Sequence, residues 1–540
     1  MKFSKYFMLA GAAAMLTACS SEEPFVPQGD PMTEEIANND TYALISLAMP
    51  EATGTRAAAE PETSKIESEY KVANGSLLIW ETGATEDDAK YVTRVNFTGA
   101  WNATTGEVVD ISREATVQVQ FPKGTFESTK KYAGLVVLNA PSNYPFPTAN
   151  QTFGIWKNTE NKAQFTYTAN GQTYLTMASA PDNERGGAVL VEIPASSIAG
   201  SLEDITDAMI IDGFYVQRNA AKVTLTAAGN VTGQNHVYTL AGAYEGATVT
   251  VNGWATDVKA VASTPIQDVS FDVIKSEWID DTNFPSFQRI HWGKSFFYGK
   301  TYNSGNYSYV SAITSFPENE YIKENTLKAK EQLYKHTTRV VLKATYKTGD
   351  TATDLIKLGN TTELRTRDSF KALVEDKLEN VVNKAGTVTL KAGSAGYKSL
   401  TDLVTVTTGS GENATELSEA DYATLAEALG MAAADEKGFA YYVGGVCYYP
   451  ILIKHFAEDG AIDGINTKDD YTDAHEGRYG VLRNNWYDLN VSSISKIGQP
   501  TIPDPKDDDT PDDKKTDEFD AVKVAIQMLN WAKRSQNVTL

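Results

Sequence analysis

The residues able to do chemistry near neutral pH are few and scattered. Of the five histidines, His236, His291, His336, His455 and His475, no two sit at metal-ligand spacing on a helix. The stretch HEGRY at His475 lacks the second histidine of a zinc motif. No Gly-x-Ser-x-Gly turn, phosphate loop or dinucleotide fingerprint occurs. Cys447, inside FAYYVGGVCYYPILI, reads as a core residue among aromatics rather than a nucleophile. The nearest thing to a metal site is DGAIDGINTKDD, which puts Asp459, Asp463, Gly464 and Asp470 at positions one, five, six and twelve of a calcium loop. Ala461 at position three and an aspartate in last place leave that match partial, and a solvated acidic loop is the default. The residue types therefore predict no enzyme, no cofactor and no resident metal.

Two other residues offer chemistry done to the chain rather than by it. Lys2 and Lys5 precede an apolar run from Phe7 to Leu16, too short to span a bilayer and typical of a targeting segment. The run ends in Leu16-Thr17-Ala18-Cys19, which resembles the lipobox of bacterial lipoproteins and makes Cys19 the expected acylation site. Ser20-Ser21-Glu22-Glu23 is similar to the acidic export tags of surface lipoproteins. Only Cys447 remains as a second cysteine, so a lipidated chain has no intramolecular disulfide. The second residue is Arg56, alone as a base in the small-residue stretch EATGTRAAAEPETS, a composition that exposes a loop to proteolysis.

These positions flank a candidate strand. Residues 20 to 40 are polar and read as a flexible lead, after which TYALISLAMP puts Ala43, Ile45, Leu47 and Met49 on one face at period two. From about residue 68 to 360, short strands alternate with Gly, Asn, Pro and Ser turns. They include SLLIW (76–80), ATVQVQF (115–121), GLVVL (134–138), AVLVEI (188–193), AKVTLT (221–226), ATVTVNGW (247–254) and RVVLKATY (339–346). Without βαβ alternation this favours antiparallel sandwiches. The helices are few: DSFKALVEDKLENVVNKA, with Phe370, Leu373, Val374, Leu378, Val381 and Val382 on one face, and SEADYATLAEALGMAAA. The layout predicts a signal segment 1–19, a propeptide 20–56, two domains over 57–215 and 216–500, a tether 501–520 and a terminal strand 521–540. A length of 540 residues and 41% hydrophobic content suit such cores, while the net charge of −22 argues against nucleic acid or anionic membrane as a partner.

The tether carries nine acids and three lysines between Pro503 and Asp520. At ~3 Å per residue it reaches roughly 60 Å, about the diameter of a compact body of this size. Beyond it Val522, Val524, Ile526 and Met528 alternate with Lys523, Ala525 and Gln527, and Trp531 follows after a phase break. An apolar strand held on a long tether makes physical sense if it inserts into another subunit. The receiving groove would have to be emptied first. A cut between Arg56 and Ala57 would do so, removing the strand with Ile45, Leu47 and Met49 together with the lipid on Cys19. The competing expectation is that the tail folds back onto its own body.

This arrangement resembles the fimbrillins of type V pili. The matching patches are the lipobox at Cys19, a strand followed by Thr55-Arg56-Ala57, QRNAAKV, ENTLKAKEQLYKHTTRVVLKATYK, and RYGVLRNNWYDLNVSSISKIGQP before the tether. Trp531, Gln536 and Leu540 are similar to the tail of the minor fimbrillin group. The resemblance implies a mainly β fold of two antiparallel, transthyretin- or immunoglobulin-like β-sandwich domains with a few inserted helices and a donor strand. It also implies a lipoprotein precursor at the outer membrane, cleavage by an arginine-specific protease, and a structural shaft subunit at the cell surface. Its partners would be copies of itself, accessory fimbrial subunits, and host or bacterial surface ligands. Lys533-Arg534 is a second basic target, so cleavage at Arg56 must rest on exposure. The rivals are a tip or anchor subunit, and a surface lipoprotein that binds glycans through its aromatics.

Overall fold

The computed structural model describes residues 30–48, 66–98, 109–110, 115–181, 188–268, 293–359, 361–409, 411–431, 438–453, 455, 476–504 and 522–530. Strands dominate them, in several sheets, with few helices.

The first sheet is built from β1 (Thr41–Ala48), β2 (Gly75–Glu81), β3 (Lys90–Thr98), β4 (Ala115–Phe121), β5 (Tyr132–Leu138), β6 (Met177–Ser179), β7 (Val191–Ile193) and β8 (Ile211–Arg218). Its strands pair in the order β6-β8-β1-β4-β3-β2-β5-β7, and β6 also pairs with β5. That last pairing, Met177 opposite Leu138 and Ala178 opposite Val137, closes seven of the strands into a ring with β7 alongside. Val, Leu and Ile on the inner positions make its core, with Leu77, Ile79, Val117, Val119, Val136 and Phe214 all buried. Closure leaves the strands of the ring without a free edge.

Further along, β9 (Ala221–Thr226), β12 (Glu320–Ile322), β17 (Asn485–Ile494) and β18 (Val522–Asn530) form one four-stranded sheet, in the order β12-β9-β17-β18. A second comprises β10 (Val237–Thr239), β11 (Ala247–Asp257), β13 (Arg339–Thr348) and β16 (Val446–Leu452), in that order. One buried cluster draws Val223, Leu225, Tyr487 and Leu489 from the former, and Val249, Trp254, Leu342 and Tyr449 from the latter. Two pairings, β1 with β8 and β9 with β17, are parallel, so the sheets are mixed rather than purely antiparallel. The partners lie far apart in sequence, and a long connection can return the chain in either direction.

Between β13 and β16, which pair directly, the chain folds a smaller body. It contains β14 (Leu355–Lys357), α2 (Arg367–Asn380), α3 (Glu419–Ala428) and β15 (Phe439–Tyr442) around Phe370, Val374, Leu378, Val406, Leu425 and Phe439. The Thr366 hydroxyl caps α2 by accepting the Ser369 N–H at 3.3 Å. The helix ends at Asn380, earlier than the apolar periodicity suggests, which leaves Val381 43% exposed instead of on the packed face.

A polar seam joins the first sheet to the rest. The Glu69 carboxylate, fully buried, takes the Lys222 ammonium at 2.8 Å and the Tyr321 hydroxyl at 2.6 Å. Arg483 holds both oxygens of Glu324 and also donates to the Thr264 carbonyl at 2.9 Å. The Pro265 carbonyl accepts from the Tyr144 hydroxyl at 3.0 Å and the Asn219 amide at 3.2 Å. The Lys323 ammonium rests on the Asn161 and Val261 carbonyls, and burial pulls its pKa down to about 8.

Candidate functional site

The site to be built is a strand that can leave and a strand that can replace it. β1 forms because its apolar residues recur at every second position, so one face can be buried throughout. Ala43, Ile45 and Leu47 are fully buried in the ring's core. Antiparallel to β4, the strand runs in register from Thr41 opposite Phe121 to Leu47 opposite Ala115. On its other side, parallel to β8, Ile45 meets Ile211, Leu47 meets Phe214 and Ala48 meets Tyr215. β1 is thus one stave of the closed ring, hydrogen-bonded along both edges and lying upstream of residue 57 in the chain.

The lead in front of β1 is structured, against the expectation of a flexible segment. α1 (Glu34–Asn38) starts at Thr33, whose hydroxyl accepts the Ile36 N–H at 3.3 Å. Met32 and Ile36 are buried in the same cluster as Phe121, Phe126 and Tyr132. The sequence signal was there: a threonine followed by two glutamates is a helix start, with one apolar residue on each side of them.

The replacement strand is β18. In the single chain it lies antiparallel to β17, at the edge of the β12-β9-β17-β18 sheet. The register sets Val522, Val524, Ile526 and Met528 opposite Ile494, Val491, Leu489 and Tyr487, all four of which are buried. The tail is therefore parked on its own body rather than left unpaired.

Of the other predicted positions, Cys19, Met49, Arg56, Ala57, Trp531 and the calcium-loop candidates Asp459, Asp463 and Asp470 lie outside the described residues. The structure brings Ile45 and Leu47 together on one face of β1, and does not bring β18 to β1. Among the described residues no group of three His, Cys, Asp or Glu could hold a metal ion. His236, His336 and His455 each use Nδ1 locally, on the Ala227 carbonyl, the Glu331 carbonyl and the Tyr487 hydroxyl.

Cys447 is fully buried in β16 opposite Ala344, and burial pushes its thiol up to about 11. Both facts make it inert. Iodoacetamide at pH 8 should leave this thiol unmodified in the folded chain cut at Arg56, and should alkylate it fully in urea. Rapid labelling without denaturant, read by mass spectrometry, would contradict the burial.

Residues 440–537, which take in β16 to β18, match the family model described as "Major fimbrial subunit protein type IV, Fimbrillin, C-terminal". This C-terminal stretch is what ties the chain to the fimbrillins. The matched span holds both the parked strand and the edge that receives it, so the tail's pairing partner is part of the same family region. Among solved structures, the chain is similar to a putative cell adhesion protein from Parabacteroides distasonis, at 11% identity over 92% of this chain and 98% of that one, TM-score 0.36. It is also similar to a fimbrilin from Porphyromonas gingivalis, at 13% identity over 92% and 99%, TM-score 0.34. A third is the tip fimbrial protein Mfa3 from Porphyromonas gingivalis with C-terminal truncation, at 10% identity over 91% and 100%, TM-score 0.33. No curated protein matches the sequence.

Proposed function

We propose that this chain is a structural shaft subunit of a cell-surface fimbrium that polymerises by exchanging strands. In this reading it has two β-sandwich units, residues 57–215 and 216–500. It travels as a lipoprotein anchored through Cys19, and a protease then cuts it between Arg56 and Ala57. The cut releases residues up to 56, β1 among them, and the first unit is left as a ring with one stave missing. β18 of a neighbouring copy leaves its parked position and enters the gap. The Trp531, Gln536 and Leu540 pattern favours the minor fimbrillin group.

The observation that carries this reading is the place of β1 in the closed ring. While β1 is present, neither β4 nor β8 has an edge free to accept another chain, so the precursor is protected against premature association. Once it is gone, two rows of backbone donors and acceptors face each other across one strand's width, lined by the apolar residues that covered Ala43, Ile45 and Leu47. Such a gap is costly to leave open: each buried Ile or Leu contributed ~1.5–3 kcal/mol, and each unpaired backbone group costs ~1–3 kcal/mol. An eight- or nine-residue apolar strand from another copy is the natural filling. Both β1 and β18 have that length.

The test is direct. Purified precursor, treated with a trypsin-like protease, should give ladders that survive mild heating in detergent. The surface-sheared protein should begin at Ala57. A chain that is cut at Arg56 and remains monomeric sinks the proposal, and a lipidated Cys19 on the sheared protein would favour an anchor subunit or a glycan-binding lipoprotein.

A further inference from the structure

The precursor's lead does more than fill a strand position. Residues 30–40 are laced to the loop 122–131 that joins β4 to β5. The Met32 N–H donates to the Lys130 carbonyl at 2.8 Å, and the Thr129 N–H returns to the Met32 carbonyl at 2.8 Å. The Gly124 N–H reaches the Ala37 carbonyl at 3.2 Å. Two acids join in: Asp40 accepts the Lys123 N–H at 2.7 Å and Glu34 accepts the Ser128 hydroxyl at 2.8 Å. Beneath them Phe126 lies edge-on between Phe121 and Tyr132, at 4.9 and 5.0 Å, in the cluster that Met32 and Ile36 help to bury. A cut after Arg56 strips all of this away. It leaves three backbone N–H groups and an aromatic cluster without the cover they had.

Something must cover that surface again, and its charge narrows the choice. The loop, PKGTFESTKK, carries Lys123, Lys130 and Lys131 against one acid, Glu127. Ahead of β1 the lead reads Glu34-Glu35-Ile36, with Asp40 just before the strand. Ahead of β18 the tail reads Asp517-Glu518-Phe519-Asp520. Both segments set one large apolar residue among acids a few positions before a strand with apolar residues at alternate positions. If β18 entered the gap reversed, residues 531–540 would meet the loop instead and bring Lys533 and Arg534 to its three lysines. Like charges at close range disfavour that docking.

We propose that Asp517–Asp520 of the neighbouring copy docks on the loop 122–131 that the lead covers in the precursor, with Phe519 taking the place of Ile36. This rests on the strand-exchange reading and adds a direction to it. The incoming strand runs as β1 does, antiparallel to β4 and parallel to β8. The acidic tether is then a recognition element as well as a spacer: it steers the tail to a cationic loop, as opposite surface charges steer association in general.

Cysteine pairs report the direction. Ser128→Cys combined with Glu518→Cys, cut at Arg56 and oxidised, should give ladders that survive boiling without reductant. Ser128→Cys with Asn537→Cys should give ladders that fall to monomer on boiling. Separately, Phe519→Ser should slow assembly about tenfold, the loss expected for one buried aromatic contact. Ladders that assemble normally but show no 128–518 link, or show the 128–537 link, overturn the docking and leave strand exchange standing. Absence of any ladder from the cut chain without the introduced cysteines overturns strand exchange itself, so the two failures are told apart.

Discussion

Replacing Val524 and Ile526 together by aspartate should abolish ladders, with assembly slowed more than a hundredfold, while the cut chain stays folded. In the gap left by β1 the alternate positions are those of Ala43, Ile45 and Leu47, none of which has measurable exposure. A carboxylate forced there without a partner either loses its hydration or takes up a proton, and either way costs several kcal/mol. Two of them exceed the ~2.7 kcal/mol that a hundredfold change represents. In the parked tail the same residues stand opposite Val491 and Leu489, so parking weakens too. The body survives because β17 keeps its pairing with β9 over Lys222–Thr226. Circular dichroism should therefore show an unchanged main transition beside the missing ladder. Ladders at the unmodified rate would remove the tail from the assembly mechanism.

The parts of this molecule legible in its sequence are those governed by neighbours along the chain. ATVQVQF and AKVTLT form strands over the residues their alternation marks, 115–121 and 221–226. AVLVEI shows the limit: only Val191–Ile193 is strand. The half-buried Glu86 carboxylate accepts the N–H groups of Val189 and Leu190 at 2.7 and 2.6 Å, taking donors that a ladder would need. Lys222 is a charged residue buried within a strand pattern, because Glu69 pairs with it and the Trp486 ring lies 4.1 Å from its ammonium. Neither partner is near in sequence. Ring closure through β6, the parallel pairing of β1 with β8, and the parking of β18 on β17 are likewise contacts across long separations. Periodicity supplies the face of a strand but not its neighbours. The strand and tail of the candidate site could thus be recognised from residue pattern alone, while the covered loop 122–131 could not.

Glu324→Ala should lower stability by ~3–5 kcal/mol, because it leaves the Arg483 guanidinium charged and buried with its main partner gone. The remaining acceptors, the Thr264 carbonyl and hydroxyl at 2.9 Å, the Asn219 amide oxygen at 3.3 Å and the Pro265 carbonyl at 3.4 Å, are neutral and already engaged. Replacing both residues at once, Glu324→Leu with Arg483→Met, should cost much less, since no buried charge is then left unpaired. Urea midpoints of the uncut chain measure the difference, and equal losses for the single and double variants would refute a paired-charge role. The effect bears on assembly through timing. A loss of that size is about a fifth or more of the ~5–15 kcal/mol by which domains are stable. The chain that has lost β1 and not yet gained a replacement lacks the burial of Ala43, Ile45 and Leu47 as well. Glu324→Ala should therefore be tolerated in the precursor yet cause the freshly cut subunit to unfold before it is complemented, giving aggregates in place of ladders. The seam around Glu69, Glu324 and Arg483 lies wholly downstream of residue 57, so the cut leaves it intact. It is what can keep the first sheet joined to the rest while the ring stands open.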